Sequence, residues 1–395
     1  MTVSRRTFLS ASAAAAATAT IVNPQSVIGS TANSKIRLGL IGCGGRGNWV
    51  ADLFNQHSNY QWVAVSDYFD HRAQTVGARL GIGEDRRYST LSGYKRLLDN
   101  QLDAVVIKSI PGFHPAMAAD SVAAGKHVYI TKPVAVDVPG CVSISESGKR
   151  ATERGLVFLV DFQARANPFF REAMKRVHAG DLGELVGVYA FYPWSHNVHD
   201  VALTGPESYL QYWYRSMELS GGTIVEQDVH VLDMATWVIN QNPLYAIGVG
   251  GRKTRQHGDI DDHYNVSYMF PGNLAMQFQS AKGIPGIIDE ITVQAWGNNG
   301  VFKGDYFGDV WIRGNRPYEG GRFETYQEGT VTNIREFAEA IQAGDASNPT
   351  VEPSVRSNLT AILGRDAVRE GGLLSWDRMM GANVKLEMKL DGLRQ

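Results

Sequence analysis

The stretch Ile36-Arg37-Leu38-Gly39-Leu40-Ile41-Gly42-Cys43-Gly44-Gly45-Arg46-Gly47 decides how the first half of the chain is read. Its first six residues are short, apolar and branched, the texture of a strand buried on both faces of a parallel sheet. Glycines follow at once in the spacing Gly42-x-Gly44-x-x-Gly47. Gly42 suits a tight turn, Gly44 leaves room for a pyrophosphate against the backbone, and Gly47 lets the next helix approach the strand. The free N–H groups at that helix's start would face the phosphates. Trp62-Val63-Ala64-Val65-Ser66 reads as a second strand and ends at Asp67, placed to accept both ribose hydroxyls of a dinucleotide. Asp67 would repel a 2′-phosphate, so NAD is favoured over NADP, although Arg46 and Arg72 leave room for the latter.

Working outward, helix and strand go on alternating. Helices are expected near 71–79, 91–99 and 115–124, and strands at 103–107, 126–130 and 157–160. The fourth strand's continuation, Thr131-Lys132-Pro133, puts Lys132 at the carboxyl end of a parallel strand, the side on which open α/β sheets bind ligands. Past residue 164 the texture changes. A helix at 168–179 precedes a long strand at 184–192, with further strands at 244–251, 263–270, 273–280, 289–296 and 309–313. These suggest a mostly antiparallel sheet with one open face, its other face covered by helices at 221–240 and 331–343. A helix at 355–371 ends at Gly371-Gly372. The expected fold class is α/β: an N-terminal Rossmann domain with a parallel sheet, then an α/β domain with a mostly antiparallel open sheet. Its expected divisions are 1–34, a signal and linker; 35–160, nucleotide binding; 161–354, substrate binding and oligomerisation; and 355–395, a helix and tail packing back on the core.

Composition narrows the function. Over 395 residues, 38 Lys plus Arg against 40 Asp plus Glu give a formal charge of -2, so no basic excess exists to neutralise nucleic acid. The two cysteines, Cys43 and Cys141, lie far apart without CxxC spacing, which indicates neither a disulfide framework nor a cysteine metal site. Ser4-Arg5-Arg6-Thr7-Phe8-Leu9 before an Ala-rich stretch reads as a twin-arginine export signal, implying the twin-arginine machinery as a partner and a periplasmic or otherwise exported, soluble mature protein.

The chain resembles the glucose-fructose oxidoreductase, inositol dehydrogenase and MocA (Gfo/Idh/MocA) family over residues 36–380. The marks are the glycine turn, Asp67, the 103–107 strand followed by Pro111 and His114, Lys126-His127-Val128 leading to Lys132-Pro133, and Gly221-Gly222 leading to His230-x-x-Asp233. The resemblance implies Pro111, His114 and Lys132 near the cofactor, with Lys132 also meeting a substrate hydroxyl, and an open sheet that forms a homodimer or homotetramer. Family members usually carry Glu-Lys-Pro where this chain has Thr131-Lys132-Pro133, which removes a carboxylate neighbour of Lys132.

Glu226, His230 and Asp233, spaced i, i+4 and i+7, would share one face of a helix. On spacing alone a charged helix face with a satisfied histidine is the favoured reading. The resemblance implies instead that His230 is the proton acceptor, Glu226 stands behind its ring, and Asp233 orients substrate. Tyr214 and Arg215, in the aromatic run 209–218, could contact a sugar through ring faces and charge. His196, after a strand, could line the same pocket. A metal held by His196, His199, Glu226, Asp228 and His230 is a minor reading, and no metal is expected. The expectation is an exported NAD-dependent oxidoreductase acting on a secondary hydroxyl of a sugar or polyol, with retained cofactor. The alternatives are a glycosidase that oxidises its glycoside transiently at C3, and a non-catalytic sugar-binding protein that keeps its cofactor.

Overall fold

Residues 35–198 and 200–395 are described by the computed structural model, and two sheets organise them. The expected export signal lies in residues 1–34, outside the described residues. In the first sheet β1 (Ile36–Ile41), β2 (Tyr60–Asp67), β3 (Arg87–Ser89), β4 (Ala104–Ile107), β5 (His127–Thr131) and β6 (Phe158–Asp161) are all parallel, in the order β3-β2-β1-β4-β5-β6. Every residue of β4 is buried, as expected for a strand covered on both faces. Strand order reverses between β1 and β4, and this opens a crevice at their carboxyl ends. Crossover helices include Gly45–Asn55, Asp70–Arg79, His114–Ala123 and Val138–Glu153. The last was legible but not read: Asp137 caps it by accepting from the Gly140 amide at 2.8 Å, and Pro139 sits in its first turn.

The second sheet contains β7 (Leu185–Trp194), β8 (Tyr245–Gly251), β9 (His263–Phe270), β10 (Leu274–Lys282), β11 (Thr292–Gly297), β12 (Gly300–Asp305), β13 (Asp309–Gly314), β14 (Tyr318–Arg322) and β15 (Leu374–Ser375). Their order is β14-β13-β12-β11-β7-β10-β9-β8-β15, and only β7 and β10 run parallel to each other. Helices Pro168–His178, Val229–Ile239 and Val351–Glu370 pack on one face, whereas the helix expected there at 331–343, part of Thr325–Ala343, packs instead on the first sheet's side through Ile334, Phe337 and Ala338 with Phe54 and Tyr129. The second sheet's other face is open and carries Val249, Ile247 and Trp296 together with the stacked rings of Tyr189 and Phe191. Both halves of the expected fold class are therefore present.

Four strands escaped the sequence reading: β3 and β15 are only three and two residues long, and the other two share one reason. β12 and β14 are rich in glycine, which weakens strand propensity, and their place is set by neighbours. At Gly304 a Cβ would run into the Phe170 ring, so the strand requires glycine there.

The expected single helix over 221–240 is broken. Gly221 and Gly222 have φ of 78° and 84°; a short turn, Thr223–Glu226, follows, and a new helix begins at Val229. Asp228 donates its amide to the Thr223 carbonyl at 3.1 Å, one residue further back than an α-helix allows. Its carboxylate is meanwhile drawn into the protein interior by Lys282, 2.7 Å away, and by the Ser280 hydroxyl at 2.7 Å. A buried charge needs partners, and satisfying Asp228 shifts the register between Glu226 and His230.

Candidate active site

The glycine turn is shaped for a dinucleotide. Gly42 has φ 99°, and a Cβ there would lie 2.6 Å from the Lys108 carbonyl carbon; at Gly47 a Cβ would strike the Gly42 carbonyl oxygen. Gly45, in contrast, faces open space, a Cβ at Gly44 would meet only the Arg72 guanidinium at 3.8 Å, and the helix Gly45–Asn55 has neither a side-chain cap nor an acid in its first turn. Backbone N–H groups are thus left to an anion. Asp67, at the end of β2, accepts from the Cys43 amide at 2.8 Å and the Phe69 amide at 2.9 Å, one bond to each oxygen. Each oxygen keeps lone-pair capacity for a ribose hydroxyl. Burial raises the Asp67 pKa, while the two amides and Arg72 oppose that shift. The residues present fit NAD.

Arg46 is turned away from this ribose position. Its guanidinium lies beside the stacked Trp49 and Tyr326 rings, 4.2 and 4.7 Å from their centres, and stands 3.9 Å from Asp161. His114 is also placed differently from the expectation of cofactor contact. Its ring is fully buried, with Nδ1 2.8 Å from the Pro133 carbonyl and Nε2 3.0 Å from that of Ser109. Both nitrogens face backbone carbonyls and the neutral ring donates through one of them, so His114 braces the Lys132–Pro133 turn against the loop after β4. Pro111, itself buried, opens a one-turn segment, Pro111–Phe113, in that loop.

Lys132 extends from the end of β5. Its Nζ donates to the Glu226 carbonyl at 2.5 Å and to Glu226 Oε1 at 3.2 Å. The carboxylate missing at Thr131 is therefore supplied from the other half of the chain. This also corrects the expected Glu226–His230 pairing: with the helix broken between them, Glu226 serves Lys132. Neither ring nitrogen of His230 has a protein hydrogen-bond partner among the described residues, and the ring stays partly exposed. It is walled edge-on by Phe162 and Tyr306, with ring centres 6.2 and 5.3 Å away. Burial pushes the His230 pKa well below the ordinary histidine value, and the positive charges of Lys132, Arg46 and Lys282 push it further. The imidazole is neutral near pH 7.

Asp233 does not offer a free carboxylate to substrate. It is fully buried, grips the Arg165 guanidinium through both oxygens at 2.8–3.1 Å, and accepts from the Ser357 hydroxyl at 2.6 Å. Its effect is to anchor the helix that carries His230. His196 is exposed and bonded to its neighbour Ser195, Oγ to Nδ1 at 2.7 Å. Tyr214 and Arg215 are buried close to the site, in the one-turn segment Trp213–Arg215.

Sequence reasoning missed a second lysine at the carboxyl edge of the first sheet. Lys108, directly after β4, forms a wholly buried ion pair with Asp161 at the end of β6, Nζ to Oδ2 2.7 Å. Burial works against the Asp161 charge, yet Lys108, Arg46 and the hydrogen bonds from Lys108 and Asn333 hold its pKa below the usual range. Position after a parallel strand, the signal that marked Lys132, was equally available for Lys108.

Crevice, glycine turn and ribose acid together define a two-domain dinucleotide-binding protein whose second sheet completes the site. Residues 36–162 match the model of an oxidoreductase family with an NAD-binding Rossmann fold, and residues 170–303 match the Gfo/Idh/MocA C-terminal domain. The chain belongs to the Gfo/Idh/MocA oxidoreductases and binds NAD. It is 25% identical over 232 residues to the scyllo-inositol 2-dehydrogenase of Bacillus subtilis (strain 168), covering 58% of this chain and 62% of that protein. It is 20% identical to the myo-inositol 2-dehydrogenase of Thermotoga maritima, over 88% of this chain and all of the relative. Levoglucosan dehydrogenase, solved with NADH and levoglucosan, shares the fold with a TM-score of 0.71 at 16% identity, over 87% of this chain and 99% of that one.

Proposed function

We propose that this protein oxidises a secondary hydroxyl of a sugar or polyol, keeps its NAD bound between turnovers, and is exported by the twin-arginine route. The observation that carries the redox reading is His230: a neutral ring with both nitrogens free of protein partners, within electrostatic reach of Lys132. The names of the inositol and levoglucosan dehydrogenases support a polyhydroxylated substrate.

In the oxidation direction Lys132 Nζ, held by the Glu226 carbonyl and carboxylate, donates to the substrate hydroxyl and stabilises the developing alkoxide. A His230 nitrogen accepts the hydroxyl proton. Phe162 and Tyr306 fix the ring and keep its inner faces dry. Bound NAD supplies the hydride acceptor. The Gly44 and Gly45 backbone and Asp67 would hold it.

Retention of the cofactor is supported by the C-terminal tail. Past the helix Trp376–Ala382 the chain crosses to the first sheet and docks beside Asp67: Arg394 donates to the Tyr68 carbonyl at 3.2 Å, and the Leu91 amide donates to the Arg394 carbonyl at 3.1 Å. Leu390 and Leu393 pack with Phe69 and Tyr209. The Arg5-Arg6 motif supports export, where no soluble nicotinamide pool exists for exchange. The apolar open face of the second sheet supports a homodimer or homotetramer. Among the described residues no helix is long and apolar enough to cross a membrane.

Denaturing the purified mature protein should release NAD in near-stoichiometric amount. A panel of sugars, polyols and glycosides, read for nucleotide reduction and for bond cleavage, then tests the chemistry. Reduction of the bound nucleotide by a sugar or polyol is expected. Glycoside cleavage without net reduction would assign the transient-oxidation glycosidase, and neither reaction on any substrate would leave only a sugar-binding role.

A further inference from the structure

Three buried polar side chains at the second sheet's edge of the site lack the partners that burial demands. Tyr214, Arg215 and Arg255 are 3%, 7% and 5% exposed. The Tyr214 hydroxyl, Nε and Nη1 of Arg215, and Nε of Arg255 make no hydrogen bond among the described residues. No carboxylate lies within ion-pair distance of either guanidinium among those residues. Among the described residues the Arg255 guanidinium has one hydrogen bond, Nη1 to the Val198 carbonyl at 3.0 Å. Burying a charge without a counter-charge is costly, and two such charges side by side add repulsion.

The neighbouring carboxylates Asp200 and Asp262 favour the Arg255 charge from beyond ion-pair distance but leave the unmet donors unfilled, because their oxygens accept from other groups. Asp200 accepts from the Gln256 and His257 amides at 3.0 and 2.9 Å. Asp262 accepts from the amides of Lys253, Thr254 and Arg255 and from His263. Glu226 is on Lys132. Tyr214 adjoins Glu226 of the site, Arg255 adjoins Tyr214, and Arg215 adjoins Arg255. The Arg255 guanidinium stands 5.4 Å from the Tyr214 ring centre, and the Tyr214 hydroxyl feels the charges of Glu226, Arg255 and Asp228. Arg255 lies in the loop between β8 and β9, which wraps Arg215: the Asp259 amide donates to the Arg215 carbonyl at 3.2 Å, and Gly258 has φ 86° where a Cβ would collide with that carbonyl.

We infer that the substrate carries an anionic oxygen group, a carboxylate or a sulfate or phosphate ester, bound by Arg215 and Arg255 with the Tyr214 hydroxyl while Lys132 and His230 meet the reacting hydroxyl. This rests on the sugar or polyol oxidation proposed above and narrows it to an acidic sugar. Guanidinium groups suit such an anion because their planar N–H forks match its oxygens two at a time. The group would fill the unmet donors and cancel the mutual repulsion of the pair.

The test uses the NAD-loaded protein and matched ligands: glucose against glucuronate, glucose 6-sulfate and glucose 6-phosphate, and galactose against galacturonate. Binding is followed by nucleotide fluorescence after chemical reduction, and turnover by nucleotide reduction. The acidic member of at least one pair should bind tighter by on the order of 10- to 100-fold. The carboxylate and ester arms identify which anion is read. In Arg215→Gln and Arg255→Gln the acidic-to-neutral ratio should fall at least about tenfold, with Arg215→Lys recovering part of it. Equal binding of neutral and acidic members by the wild type overturns the inference, and this arm needs no variant to fold. A preference that survives both Gln substitutions also overturns it. Preferential binding of acidic sugars without oxidation or cleavage would instead reject the redox proposal and keep the anion site.

Discussion

At the scale of single residues the site separates proton acceptance from hydroxyl binding. His230 has no carboxylate behind it and is surrounded by positive charge, so protonation is disfavoured in the resting protein. Its active form is the neutral ring, lost only when pH falls through a folded pKa well below the ordinary value of about 6.5. The acid limb of the oxidation rate should therefore lie clearly below about pH 6.5 in a kcat/KM profile, and a limb at or above that value would exclude His230 as the acceptor. Replacing it, His230→Ala, should slow reduction of bound NAD by about 10²–10⁴-fold while the nucleotide stays bound, checked by single-turnover absorbance. Glu226→Gln is a milder change. The Glu226 carbonyl still holds Lys132 at 2.5 Å and only the 3.2 Å carboxylate contact loses its charge, so turnover should drop about tenfold. Unchanged kinetics in that variant would show the carboxylate to be irrelevant to Lys132.

The C-terminal tail is the element whose role is most separable from catalysis. Residues 383–395 touch several places around the nucleotide crevice. The Leu386 amide donates to Asp137 at 2.8 Å, Lys389 pairs with Glu218 at 2.8 Å, and Arg394 reaches Tyr68. Each exposed ion pair is worth little, at most about 1 kcal/mol, so the hold comes from burying Leu393 against Phe69, Tyr209, Leu210 and Leu219. Deleting 384–395 should accelerate NAD loss, measured as nucleotide remaining after gel filtration, while both sheets persist by circular dichroism. Equal retention by the truncated and full chains would reject the tail as the retaining device. The broken helix over 221–240 is the complementary case. Its break at Asp228 is what frees Glu226 from His230 and turns it toward Lys132.

For the whole molecule, His114 and the half-buried His127 are expected to make stability fall on the acid side. Burial brings His114 and His127 down to about 4; His127 Nδ1 accepts from the Val157 amide at 2.9 Å and cannot do so when protonated. Their folded pKa lies below the unfolded value, so the unfolded chain takes up protons first as pH drops. Stability present above about pH 6.5 is thus lost progressively as pH falls toward about 4, by up to roughly 3 kcal/mol for a fully buried ring such as His114. Urea midpoints should fall between about pH 7 and about pH 4.5, and His127→Gln should flatten that dependence. A flat wild-type profile would contradict the placement of these rings.

What the linear order of residues determined by itself is the local part: β1, the glycine turn, β2 ending at Asp67, the strand that delivers Lys132, and the antiparallel texture of the second half. These depend on side-chain period, on glycine's lack of a Cβ and on short spacings, all of which act between near neighbours in the chain. Tertiary structure alone decided who partners whom. Asp233 is claimed by Arg165 and Ser357, Asp228 by Lys282, Lys108 by Asp161, and Glu226 by Lys132, each across a large sequence separation. A buried charge takes whichever opposite charge the packed sheets bring within reach, and that choice overrides helical spacing because leaving the charge unpaired costs more than breaking one turn of helix.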